Sequence, residues 1–112
     1  MTSLAWLCSA VTIVSALVGL GFSTAGLRTA TAAARVPSEY AWARSASLAV
    51  LAVIAPFTGD PRFIAAAATA MIGVQALDCL VGVRIGDPAR AWGPLAIAAI
   101  NAAALVWFLV AG

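Results

Sequence analysis

The stretch MIGVQALDCLVGVR, residues 71–84, carries a carboxylate, Asp78, and an amide, Gln75, inside a run otherwise apolar enough to cross a bilayer. A charge at mid-membrane costs about 2.5–3.5 kcal/mol on insertion scales, so such a residue is a functional-site hypothesis by default and needs a partner. Arg44, in YAWARSASLAV, is the candidate partner. At 1.5 Å rise per residue Arg44 lies roughly 20 Å from Phe57 and Asp78 roughly 22 Å from Phe63, so an interhelical Asp78–Arg44 pair fits one level. Gln75 and Asn101 lie roughly 13 Å from Arg84 and Trp92 respectively, which sets two amides about a turn from the pair.

These side chains suit acid/base work. If the patch is chemical, Asp78 is the best proton donor or acceptor and Arg44, Gln75 and Asn101 would bind and orient the polar part of a substrate; the same pairings are also how a small bundle fixes its register. Met71, Gln75, Asp78 and Gly82 follow a three-four spacing and share one helix face. Ser23 and Ser47 are further hydroxyls near that level. No nucleophile motif, glycine-rich phosphate loop or metal-ligand cluster accompanies them, so neither a cofactor nor a metal is expected. With no His, and with Cys8 and Cys79 in different spans at different depths, a disulfide is not expected either.

The elements that must hold these residues follow from composition. Of the 112 residues 64% are hydrophobic and 9% charged, and the mean hydropathy is +1.08. Those values exceed what a water-soluble domain of this size needs for its core. A span takes about 20 residues, which leaves room for four and no soluble domain. The reading is an all-α polytopic membrane protein, one domain over 1–112 forming a four-transmembrane-helix bundle, with spans near 4–27, 40–56, 62–83 and 92–111. Residues 4–27 are too long for a signal-peptide core, and Met1 to Ser3 has no basic side chain.

Small residues Ser15, Gly19 and Ser23 recur every fourth position in the first span, a spacing that favours close helix packing. RTATAAAR at 28–35 reads as a loop or brief interfacial helix, and Pro37 and Glu39 suit the start of the second span. GDPR at 59–62 and GDPAR at 86–90 read as similar turns, each with a left-handed Gly, a capping Asp and Pro in the first helical turn.

Charge then gives orientation. Arg28, Arg35, Arg44, Arg84 and Arg90 stand on the side of the first and third loops, against Arg62 alone in the second. By the positive-inside rule, loops 28–39 and 84–91 are cytoplasmic and both termini are outside, in the cell membrane. Tyr40, Trp42 and Trp92 mark one interface, and Trp6, Phe57, Phe63, Trp107 and Phe108 the other. A net charge of +2, scattered along the chain, does not suggest nucleic acid. The lipid bilayer is the expected partner, and the Ala-rich faces at 65–70 and 96–104 suit either intramolecular packing or a homo-oligomer.

Two families invite comparison. Small multidrug resistance transporters have similar length and four helices but couple transport to a Glu in the first span, where this chain has no carboxylate. GLGFSTAGLR at 19–28, Arg44 within YAWARSASLAV and Asp78 within GVQALDCLVG resemble a group of small bacterial four-helix membrane proteins of undefined function, loosely DoxX-like. That resemblance covers most of the chain and implies the fold, with a place in redox or biosynthetic membrane systems. It departs at Ser45, where such proteins often carry an acid after the Arg.

The functional expectation is a small membrane protein with a buried polar site in the cytoplasmic half of the bundle. That site would bind, or act by acid/base chemistry on, a lipophilic molecule of quinone, isoprenoid or epoxide type. An enzyme of this kind would be an isomerase, cyclase or hydrolase. A structural or accessory subunit of a membrane complex is the first alternative and a small proton-coupled transporter the second.

Overall fold

The computed structural model describes residues 2–111, and these form four long helices: α1 (Ser3–Thr29), α2 (Arg35–Ile54), α3 (Pro61–Arg84) and α4 (Pro88–Ala111). Each is long and apolar enough to cross a membrane. The Cα atoms occupy 46 × 25 × 15 Å. α1 pairs mainly with α2 and α3 mainly with α4, while α1 also packs on both α3 and α4. By contrast α2 and α3 touch sparingly.

Local chemistry explains each boundary. Thr2 Oγ1 accepts from the Ala5 N–H at 3.1 Å and caps α1. Along α1, Thr12, Ser15 and Thr24 donate to the carbonyls of Cys8, Val11 and Leu20 at 2.8 Å, which satisfies these three hydroxyls within an apolar helix. α2 begins at Arg35, close to the start expected from Pro37 and Glu39 and ahead of the apolar span near 40, because an Arg35–Glu39 ion pair at 3.4 Å spans its first turn and Pro37 is tolerated there. The expected loop 28–39 therefore shrinks to Ala30, Thr31 and a 3-10 turn over Ala32–Ala34. At its other end α2 tightens into a 3-10 turn, Ala55–Thr58, containing Pro56.

Gly59 (φ 67°) and Gly86 (φ 71°) take the left-handed positions anticipated for both turns. Asp60 Oδ1 accepts the Arg62 N–H at 2.9 Å at the start of α3. That hydrogen bond, helped by the Arg62 side chain, holds the Asp60 carboxyl below the ordinary Asp range. Asp87 does the same for α4, accepting the Arg90 N–H at 3.3 Å, so α4 starts at Pro88 and not near Trp92.

Packing is uneven along the bundle axis. At the end bearing the termini, Ala5, Cys8, Ala55, Ile64, Ala68 and Phe108 form a closed core. Phe108 is 5% exposed, so its ring fills this core and does not serve the interfacial role expected of it. A second apolar layer of Ala16, Ala49, Ala52 and Met71 joins only α1, α2 and α3. Toward the opposite end, where Arg28, Arg35, Arg84 and Arg90 gather, the helices diverge around a cleft. Gly82 holds α3 to α4 there: a methyl group at this position would come within 2.5 Å of the Arg90 and Ala91 backbone. Pro94 offers no N–H to the Arg90 carbonyl, and that bare carbonyl is what Gly82 meets.

Candidate functional site

All four helices contribute to the cleft, whose volume is about 750 Å3. That lies within the range of roughly 300–1,000 Å3 typical of small-molecule sites. Its apolar walls include Phe22, Leu48, Val74 and Ile97. Its polar groups come from α1 (Ser23), α2 (Arg44 and Ser45), α3 (Gln75 and Asp78) and the start of α4 (Arg90), with Asp87 just before it.

Arg44 and Asp78 meet as expected: Arg44 Nη2 donates to Asp78 Oδ1 at 3.3 Å. The contact crosses the sparse seam between α2 and α3. With 52% and 34% of their side-chain surfaces exposed, the pair sits at the rim of the cleft. All four acidic residues pair with an Arg, but Arg35–Glu39, Arg62–Asp60 and Arg90–Asp87 are local along the chain. Among the described residues Arg44–Asp78 is the ion pair that ties one helix to another.

Gln75 lies deeper, 5% exposed, on the same face of α3 as Met71, Asp78 and Gly82. Its Nε2 approaches Met71 Sδ at 3.8 Å, a weak acceptor. A Cβ added to Gly19 of α1 would stand in ordinary contact with the same nitrogen, at 3.8 Å, so α1 and the amide face each other across the cleft.

The structure does not bring Asn101 to this group. It is fully buried against α1, where its Nδ2 donates to Thr12 Oγ1 at 3.2 Å, and it does not line the cleft. The reason is the early start of α4: counted from Pro88, Asn101 lies roughly 20 Å along its helix, against roughly 13 Å for Gln75 counted back from Arg84. Counted from Trp92, the residue falls a turn too near the Arg-rich end. Ser47 is also absent from the cleft, being exposed and bonded to the Ala43 carbonyl of its own helix at 2.9 Å.

Two contributors were not singled out in the sequence. Ser45 is buried and its Oγ lies 2.7 Å from Ser23 Oγ, joining α2 to α1 in the cleft wall. Its signal was adjacency to Arg44, which turns it about 100° around the helix toward α1. Thr12 partners Asn101, and its signal was that Thr12 and Asn101 lie at similar distances from the termini end of their helices.

The arrangement offers one carboxylate with Oδ1 engaged by a guanidinium, a buried amide and a hydroxyl pair, arrayed along an apolar cleft. No family model matches this chain, and neither a curated protein nor a solved structure does.

Proposed function

We propose that this chain is a multi-pass membrane protein of the cell membrane whose cleft binds a lipophilic small molecule, with Asp78 as the group that exchanges a proton with it. The observation that carries the reading is the cleft itself: apolar walls from four helices meet a carboxylate, a guanidinium and an amide from Arg44, Gln75 and Asp78. The Arg distribution supports an orientation with the termini outside and the cleft in the cytoplasmic half. A ligand would enter from the bilayer through the seam between α2 and α3, passing the ion pair at the rim. Its polar end would stand beside Asp78, whose Oδ1 is held by Arg44, and would take the proton exchange at Oδ2. Acid/base chemistry of isomerase, cyclase or hydrolase type on a quinone, isoprenoid or epoxide is the matching reaction class.

The test is the lipophile that copurifies with the protein in mild detergent, extracted into organic solvent and identified by mass spectrometry. Gly19→Leu fills the cleft from α1 at a position where the added Cβ itself stands in ordinary contact, 3.8 Å from Gln75 Nε2. Wild type is expected to carry a defined lipophile that Gly19→Leu has lost. Identical lipid profiles on both proteins would remove the ligand-binding reading.

A further inference from the structure

The geometry points to the polar end of the ligand: a neutral head group bearing a carbonyl or hydroxyl, taken by Gln75 and the Ser23–Ser45 pair, and not an anionic carboxylate or phosphate. This inference rests on the cleft being a ligand site and adds which chemistry that site accepts.

Charge balance is the first argument. The four ionic groups of the cleft are two guanidiniums and two carboxylates, and they are matched in pairs: Arg44 with Asp78 and Arg90 with Asp87, each at 3.3 Å. Neither guanidinium faces the cleft without a carboxylate, so an anionic head would have to displace Asp78 or Asp87 from its guanidinium and then sit beside the like charge of the freed carboxylate. A neutral head disturbs neither pair.

Unspent hydrogen-bonding capacity is the second. Gln75 is a buried residue that lines the cleft, and its Nε2 meets only a thioether sulfur among the described residues. A carboxamide provides two donors and an acceptor, and such groups are rarely left unsatisfied when buried. The Ser23 and Ser45 hydroxyls share one hydrogen bond at 2.7 Å, which uses one of their two hydrogens and leaves the other for a ligand oxygen. Gln75 and the serines therefore present neutral donors and an acceptor, which a carbonyl or hydroxyl head satisfies without moving a charge. Val74 and Ile97 continue the cleft as an apolar channel for the chain.

The experiment uses the full chain in phosphatidylcholine nanodiscs with two photoreactive probes of equal length, a diazirine-bearing long-chain alcohol and the corresponding fatty acid. Labelling is done at a pH where the acid is ionised, and labelled segments are mapped by mass spectrometry. The alcohol is expected to label residues around Val74 and Ile97 at least several-fold more than the acid. Gln75→Leu is expected to cut alcohol labelling by about three- to tenfold, the worth of one neutral hydrogen bond. Asp78→Asn leaves Arg44 without its carboxylate and is expected to raise acid labelling to the level of the alcohol or above. Circular dichroism establishes that each variant is helical before labelling. Acid labelling of wild type equal to the alcohol's, or alcohol labelling indifferent to Gln75→Leu, overturns the neutral-head inference while leaving a ligand cleft. Absence of cleft labelling by both probes overturns the ligand site itself.

Discussion

Two polar layers cross the bundle, and they treat polarity in opposite ways. Around Asn101 the helices close completely: Asn101, Thr12, Ser9 and Cys8 are each 2% exposed or less, all are neutral, and one interhelical hydrogen bond pins α4 to α1. Around Asp78 the helices stand apart, the groups are charged, and the ion pair is half open. A bundle that needed polar contacts only to fix its register already has them in the sealed layer. The open layer adds charge where packing is weakest, between α2 and α3, and so contributes little to closing the core. That contrast is why the cleft reads as a site and the Asn101 layer as structure.

Exchanging amide and carboxylate between the layers tests the contrast most strongly. Asn101→Asp introduces a carboxylate at a position with no exposure and with a hydroxyl, not a cation, beside it. An uncompensated buried charge of this kind costs on the order of 3–5 kcal/mol. Denaturation in detergent followed by helical circular dichroism should show a large fall in stability or a failure to fold. Near-normal stability would mean that water reaches this layer, and the two layers would then differ only in degree.

The converse exchange should be mild. Asp78→Asn keeps the shape, removes the charge and breaks an ion pair whose partners are substantially exposed, a class of interaction worth about 0–1 kcal/mol. The same measurement is expected to show no more than about that loss, or a gain if the charge is held at a structural cost. A loss comparable to that of Asn101→Asp would make Arg44–Asp78 a structural tie between α2 and α3 and return the cleft to a packing feature.

What the sequence could reveal of these layers depended on the range of the interaction. The helices, both Gly turns and the capping by Asp60 and Asp87 follow from residues adjacent in the chain, and the same local rules explain them in the structure. The Arg44–Asp78 pair was legible because α2 and α3 both end at the short connection between Ile54 and Pro61, which fixes their relative depth within a turn. Asn101 was misplaced because its depth was measured from the other end of α4, where an Asp cap adds a turn that hydropathy does not register. Helix rotation was legible only where a face was marked, as by Met71, Gln75, Asp78 and Gly82. α2 carries no comparable stripe, so Ser47 was favoured over Ser45 although the structure turns Ser45 toward Ser23.

A carboxylate outside both layers gives the smallest effect and separates them from the rest of the chain. Asp60 caps α3 at the termini end, and the Arg62 N–H, first, and the Arg62 side chain hold its carboxyl below the ordinary Asp value. A carboxyl lowered in the folded state adds stability that is fully present above its unfolded value and fades as the pH falls through the folded one. Asp60→Asn keeps a competent helix cap, since Asn and Asp rank alike there, while removing the titration. Wild type should therefore lose its margin over Asp60→Asn as acid is added below the usual Asp range, and the two should converge once Asp60 is protonated. Parallel acid profiles for the two proteins would show that the Asp60 cap does not carry the acid response.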